Sequence, residues 1–284
     1  MMRFSLILCT INRVEEVRIF LNSLALQREA PSFEVILVDQ NPDDRLRPII
    51  ADFEGKFPIR CLTSKPGLSR ARNVGLEHAA GEIVAFPDDD CQYPEHLLKE
   101  VSDYLTDDWL DGMSILATDR KGQLSSGYMF RNHRWITLGN ARHSGVSISI
   151  FIKREAIGEL RFDETLGVGS GTVYGSGEET DFLLNLVREK KVLKFNPDLS
   201  VYHPVFKGPW SLKRGFLYGS GTGRVLHKHH FSFFQALYSV GLMLARALMA
   251  LLQLNFPKIM FYLAMAWGRF SGYLRGVFNH EPTV

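Results

Sequence analysis

Three adjacent carboxylates, Asp88, Asp89 and Asp90, stand in the run FPDDDC at residues 86–91. Like charges this close disfavour one another's ionised form, so such a run is relieved by a cation or left in water as an acidic turn. Hard divalent ions such as Mg2+ and Mn2+ take carboxylate oxygens and share them with substrate phosphates. A second acidic group, GSGEETD at 175–181, puts Glu178, Glu179 and Asp181 where a helix begins after glycines. Acids in a first turn are ordinary partners of the helix dipole. The glycine approach also lets a substrate come close, and a carboxylate there can take a proton from a hydroxyl as a general base. Arg70 and Arg72, in GLSRARN at 67–73, open another helix, and a helix N-terminus and a guanidinium both suit phosphate. One of the two fits a solvated face equally well. His203, before Pro204, reads first as a structural histidine, and His227, His229 and His230 read as a solvated basic face. Neither GxGxxG nor GxxxxGK[ST] occurs, so a dinucleotide oxidoreductase or a P-loop site is not supported.

These residues need elements to carry them. Residues 4–11 (FSLILCTI) and 34–39 (EVILVD) are continuous apolar runs that suit strands buried on both faces. Residues 59–63 and 82–86 complete a set of four. Between them, Val14, Val17, Phe20 and Leu24 recur at helical spacing, 46–53 forms a short helix, and 69–80 forms a helix stopped by Gly81. A further helix covers 94–105. The β-α-β-α-β-α-β order implies a doubly wound, mostly parallel sheet with flanking helices. Ligands of such sheets sit beyond the strands' carboxyl ends, where Thr10, Asn12, Asp39 and the Asp88–Asp90 triplet should converge. That convergence favours a metal site over a solvated turn. Further on, 147–153 reads as a strand, 167–177 as a glycine-rich loop, 178–191 as a helix, and 192–195 and 200–202 as short strands. The glycine density makes 167–177 a candidate lid.

The 284 residues suffice for one large domain with an appendage. Three cysteines exclude a disulfide scaffold and lack metal-ligand spacing, and no signal peptide is read at the N-terminus, so the catalytic part is expected in a reducing cytosol. The net charge of +2 is uneven: from His203 onward nine Lys and Arg face one acid, against 24 and 30 before it. An acidic body with a basic, apolar tail is not a nucleic-acid-binding distribution; it suits an enzyme held on an anionic membrane surface. Seventeen residues without formal charge separate Lys228 from Arg246, and Pro257 divides that stretch from 259–268. The tail, 206–284, therefore reads as an apolar helical hairpin that spans a membrane, lies on it, or packs on the body.

The blocks SLILCTINR, EVILVDQNPDD, GLSRARNVGLEHAAGEIVAFPDDDCQYPEHLL and GSGTVYGSGEETDFLLNLVREK, in this order, resemble bacterial family 2 glycosyltransferases over about residues 3–205. The resemblance implies a GT-A-type fold at 1–205, with a nucleotide-binding half at 1–105 and an acceptor-side half at 106–205. It implies a nucleotide-sugar donor, with Thr10, Asn12 and Asp39 at the base and ribose, Arg72 near the nucleotide, and Arg13 and Arg70 in the same donor set. Asp88, Asp89 and Asp90 occupy the DxD position, whose carboxylates hold Mn2+ or Mg2+ on the diphosphate, and His203 matches a histidine sometimes found near that metal. Glu179 stands where the family usually carries an aspartate, which leaves the base among Glu178, Glu179 and Asp181. The expected reaction is inverting sugar transfer to a hydroxyl of a glycan or lipid-linked acceptor, in bacterial surface polysaccharide synthesis at the inner face of the membrane. The rival readings are a sugar-phosphate nucleotidyltransferase and a non-catalytic nucleotide-sugar-binding subunit.

Overall fold

The structure is a computed structural model that describes residues 2–125 and 129–278. Its chain divides into two compact units. One comprises the chain up to Pro66, Arg70–Arg161 and Phe182–Phe206; the other comprises Gly67–Ser69, Phe162–Asp181 and the chain from Lys207.

The first unit holds a sheet of eight strands: β1 (Phe4–Thr10), β2 (Phe33–Asp39), β3 (Ile59–Thr63), β4 (Ile83–Ala85), β5 (Gly112–Thr118), β6 (Arg134–Trp135), β7 (Ile150–Lys153) and β8 (Leu193–Tyr202). Their order is β3-β2-β1-β4-β7-β5-β8-β6. β3, β2, β1 and β4 are parallel, as the apolar runs require, and every residue of β1 is buried. β7 runs antiparallel to β4 and β5, β5 is parallel to β8, and β6 closes the far edge antiparallel to β8.

Helices α1 (Glu15–Ala25), α2 (Arg47–Ala51), α3 (Leu68–Leu76) and α4 (Leu97–Tyr104) alternate with β1–β5, and α5 (Arg154–Ile157) and α6 (Glu178–Arg188) lie between β7 and β8. α1 buries Val17, Phe20, Leu21 and Leu24, a stripe at helical spacing. Phe20 meets Tyr93 edge-on at 5.4 Å between ring centres, and Tyr93 meets Phe151 of β7 at 6.1 Å.

The structure corrects the sequence reading in the second half of the sheet. The strand expected over 147–153 is cut to 150–153, because residues 147–149 form a 3-10 turn. The two strands expected at 192–195 and 200–202 are one, β8, with a register shift opposite Ile115 and Leu116 that absorbs the polar interval. β5 was not foreseen.

In the second unit the tail forms three helices: α7 (Leu212–Lys228), α8 (Phe233–Leu252) and α9 (Phe256–Phe278). The hairpin expected from the break at Pro257 is α8 with α9, and Pro257 sits in the first turn of α9, where its missing N–H costs nothing. α7, unforeseen, packs on α9 through two glycine stripes at four-residue spacing. A Cβ on Gly215, Gly219 or Gly223 would lie 2.5, 2.2 and 2.2 Å from the carbonyl oxygens of Phe261, Met265 and Arg269. On α9, a Cβ on Gly268 or Gly272 would lie 2.3 and 2.2 Å from those of Phe216 and Ser220. Only glycine allows this approach, which is the small-xxx-small mode of close helix packing. Among the described residues one helix, Phe233–Leu252, is long and apolar enough to cross a membrane by length and composition.

Candidate active site

β1 and β2 end side by side, with Thr10 in register with Asp39. β4 stops at Ala85, and Pro87 lacks the donor that would extend it. The chain returns to β1 through a single parallel bridge between Cys9 and Asp88, which sets the acidic triplet at the carboxyl ends of the strands. A two-way backbone clamp fixes the other side: Gln92 N donates to Tyr202 O at 2.8 Å, and Tyr202 N donates to Gln92 O at 3.0 Å. His203 N then donates to Thr118 O at 2.9 Å. The clamp carries His203 from the end of β8 onto the triplet.

The three aspartates have different surroundings. Asp89 is buried; it accepts from Thr10 Oγ1 at 2.6 Å and from Arg13 Nη1 at 2.6 Å. Burial pushes its carboxyl above the usual range, with Thr10 and Arg13 opposing the shift. Asp90 accepts from Arg13 Nη1 at 2.7 Å and lies 3.2 Å from His203 Nε2. Burial would raise its pKa, but the hydrogen bond and charge of His203, joined by Arg13, outweigh it and hold the carboxyl at about 2. His203 is shifted upward in turn: burial lowers its pKa, and Asp90 more than reverses that. Asp88 accepts from Arg72 Nη2 at 3.3 Å. Arg72 is only 1% exposed, so this fully buried guanidinium sits behind the triplet. A buried arginine needs such a partner to offset its desolvation. Cys9, also behind the site, is pushed up to about 12 by burial, which keeps it an inert thiol.

Asp88, Asp90 and His203 each present a ligand atom within 4.8 Å of the other two. Two carboxylates and an imidazole are a donor set for a divalent cation. His203 Nδ1 lies 2.8 Å from Pro204 O, a contact that orients the ring with Nε2 toward Asp90, where Nε2 becomes a ligand atom once it gives up its proton. The residues present therefore fit a metal. The strand ends beside them are interlocked. Asp39 Oδ1 accepts from Asn41 N at 2.8 Å and Asn41 Nδ2 at 2.6 Å, and Asn12, at φ 57°, donates its N–H to Asn41 Oδ1 at 2.7 Å. Arg70, half-buried on α3, donates to Pro66 O at 3.3 Å.

The second acidic group lies at the start of α6. Asp181 is fully buried, and its two oxygens meet Lys228 Nζ at 2.9 Å and His229 Nε2 at 2.8 Å. Lys228 also donates to Asp163 at 2.7 Å. Burial raises Asp163, but Lys228 and Thr165 outweigh it and hold its carboxyl below the usual range. Burial lowers Lys228, and the two aspartates outweigh it and hold its ammonium above its usual range. His229 is thus not the solvated basic residue expected from the sequence; it is 4% exposed and closes this network, whereas His230 is exposed. Glu178 is buried, and Gly167, at φ 94°, makes room for it: a Cβ there would lie 3.1 Å from the Glu178 carboxyl carbon. Glu179 is half-buried, the most accessible of the three acids. The loop between is tied down by Gly167 N to Tyr174 O at 2.9 Å, Gly175 N to Leu217 O at 3.1 Å and Ser176 Oγ to Tyr218 O at 2.9 Å.

The family resemblance grouped His203 with Asp88 and Asp90, whereas residue types and spacing alone read it as structural; neither pointed to the clamp at Gln92, nor to Lys228 and His229. The Gln92–Tyr202 pairing joins residues 110 positions apart, for which only strand-like Ser200–Tyr202 gave a hint.

A mostly parallel sheet with a carboxylate–imidazole cluster at the carboxyl ends of its strands is an α/β frame on which a ligand site can form. The profile of Glycosyl transferase family 2 matches residues 5–163, and the chain belongs to that family. It is 31% identical over 147 residues to the poly(ribitol-phosphate) beta-N-acetylglucosaminyltransferase TarS of Staphylococcus aureus, a match that covers 50% of this chain and 26% of TarS. The chain thus spans about a quarter of the length of the first curated relatives it matches. It is 26% identical over 247 residues to the succinoglycan biosynthesis protein ExoM of Rhizobium meliloti, covering 77% of this chain and 73% of ExoM. Among solved structures, S. aureus TarS 1–349 in complex with UDP-GlcNAc superposes with a TM-score of 0.63 at 20% identity, covering 95% of this chain and 92% of the other. The mannosyltransferase PcManGT of Pyrobaculum calidifontis, in complex with GDP-Man and Mn2+, superposes with a TM-score of 0.64 at 17% identity, covering 98% and 88%. At these identities the likeness establishes the fold, which is of the GT-A type.

Proposed function

We propose that the chain transfers a sugar, with inversion, from a nucleoside diphosphate sugar to a hydroxyl of a glycan or lipid-linked acceptor, at the inner face of a membrane where surface polysaccharide is made. The observation that carries this reading is the convergence of Asp88, Asp90 and His203 on one point. When bound there, a divalent cation neutralises the departing diphosphate. Two carboxylates with one imidazole suit Mn2+ better than Mg2+, which prefers all-oxygen octahedra. Relatives bind UDP-GlcNAc and GDP-Man, which supports a nucleotide-sugar donor.

The chain's own residues divide the remaining work. Arg13 and Thr10 fix Asp89 so that the triplet keeps one shape, and Arg72 holds Asp88 from behind. Thr10, Asn12, Asp39 and Arg70 form the donor side. Glu179, the accessible acid of α6, takes the proton of the acceptor hydroxyl as its oxygen bonds to the anomeric carbon and the bond to the diphosphate oxygen breaks. One displacement with one base inverts the configuration. Proton NMR of the product's anomeric signal, from a panel of UDP-, GDP- and dTDP-sugars with Mn2+, tests this. Inverted product supports it. Retained configuration overturns the mechanism, and donor binding without transfer or hydrolysis turns the reading to a nucleotide-sugar-binding subunit.

A further inference from the structure

The outer side of α8 and α9 is apolar and open. On α8 the buried residues Ala236, Ser239, Met243, Ala247 and Ala250 form the inward stripe. Opposite them Phe234 is 80% exposed and Leu252 72%, with Leu244 and Leu248 exposed between them. α9 continues the surface with Phe256, Met260, Leu263 and Trp267, one exposed residue per turn. A face of this extent on a protein surface marks a binding partner.

The partner's chemistry follows from the charges. Among described residues from Lys207 onward there are nine Lys and Arg and no acid. At 100° per residue, Gln235 and Arg246 of α8 and Gln253 at its C-cap fall within about 20° of one another, a polar edge marked near each end of the helix and once between. All three are exposed. Lys258 and Arg275 extend the cationic character to α9. A second copy of this chain would bring like charges together. An apolar face whose only charges are cationic complements the acyl chains and anionic headgroups of a lipid bilayer.

The same features fix how the bilayer is met. A helix lying in the interface can keep the edge of Gln235, Arg246 and Gln253 at the headgroups, whereas a spanning helix would carry Arg246 into hydrocarbon. α9 cannot follow α8 across alone, because its glycines lock it to α7, whose Lys228 is ion-paired to Asp163 and Asp181. The geometry points to a monotopic dock: α8 and the outer face of α9 lie in the surface of an anionic bilayer, with Arg246 at the headgroups. This rests on the membrane part of the proposed function and names the surface, the lipid and the depth.

The test uses the full chain, without donor or acceptor, on vesicles of phosphatidylcholine with and without phosphatidylglycerol. Partition should be stronger on the anionic vesicles, should weaken as salt rises, and should be released by alkaline carbonate. The double variant Leu248→Gln/Leu252→Gln, at exposed sites that leave the fold intact, should lose partition at least about tenfold. Arg246→Glu should lose about tenfold on anionic vesicles and little on neutral ones. Carbonate-resistant protein overturns the in-plane dock. Undiminished partition of the double variant, or a lipid-free dimer that this variant dissolves, overturns the surface assignment. Mn2+ titration of the same variants reads the Asp88–Asp90–His203 site separately, so a failed dock and a failed transferase reading give different results.

Discussion

Lys228→Met keeps the length of the stem and removes the charge that joins Asp163 and Asp181. In the native protein Lys228 Nζ lies 2.7 Å from Asp163 and 2.9 Å from Asp181, whose side chains are 19% and 1% exposed, while that of Lys228 is 30% exposed. Breaking a fully buried pair costs about 3–5 kcal/mol, and an exposed one costs about 0–1 kcal/mol. The substitution leaves Asp181 with His229 and Asp163 with Thr165, so neither carboxylate is orphaned. The expected loss near neutral pH is therefore about 2–3 kcal/mol, measured by urea unfolding. The pH dependence has a definite sign. Asp163 has its folded pKa below the unfolded 3.8, so its contribution is present above 3.8 and is lost as pH falls through the folded value. Lys228 has its folded pKa above 10.5, so its contribution is full below 10.5 and is lost as pH rises through the folded value. The difference between wild type and variant should thus be widest between these limits and shrink at both ends. Asp181 also anchors the first turn of α6, so turnover should fall about tenfold or more through misplacement of the base, with donor affinity little changed. A loss below about 1 kcal/mol, or one that does not vary with pH, refutes this account of the network.

Other substitutions separate the parts. Glu179→Gln should leave Mn2+ and donor binding intact and reduce transfer about 10²–10⁴-fold; if Glu178→Gln or Asp181→Asn is the inactive variant and Glu179→Gln is not, the base is misassigned. Thr10→Val should cost about 1–3 kcal/mol in urea unfolding, because buried Asp89 loses a donor. Gly219→Val should cost about 3 kcal/mol, since its Cβ would meet Met265 O at 2.2 Å, whereas Gly241→Ala, with nothing within 4 Å, should stabilise α8 by about 0.5–1 kcal/mol. Equal effects at these two glycines would contradict the glycine-stripe packing.

The parallel half of the fold was legible because strands buried on both faces are continuous apolar runs, and β1 and β2 match those runs to within a residue. The acidic triplet was legible because Pro87 ends β4 and leaves the aspartates at a strand end. β5 was missed because GMSILAT follows the acidic DDWLD and opens on a glycine, which sheet pairing with β7 and β8 overrides. α7 was missed for a similar reason. Its four glycines have poor helix propensity, and the close packing against α9 that offsets them is not local. Arg13, expected in the donor set, pairs with Asp89 and Asp90, 76 and 77 positions away, partners that no spacing rule links. Lys228 and His229 lie 47 and 48 positions from Asp181, so no spacing rule links them.

The central claim is that Asp88, Asp90 and His203 hold the divalent cation through which a nucleotide sugar binds. Calorimetric titration of UDP- and GDP-sugars into the full chain, with Mn2+ or with EDTA, for wild type and Asp90→Asn, tests it directly. The account predicts that wild type binds at least one of these donors with Mn2+, that EDTA abolishes the binding, and that Asp90→Asn abolishes it while the thermal unfolding of the protein remains cooperative. Donor binding that persists unchanged in EDTA, or in Asp90→Asn with Mn2+ present, would contradict it.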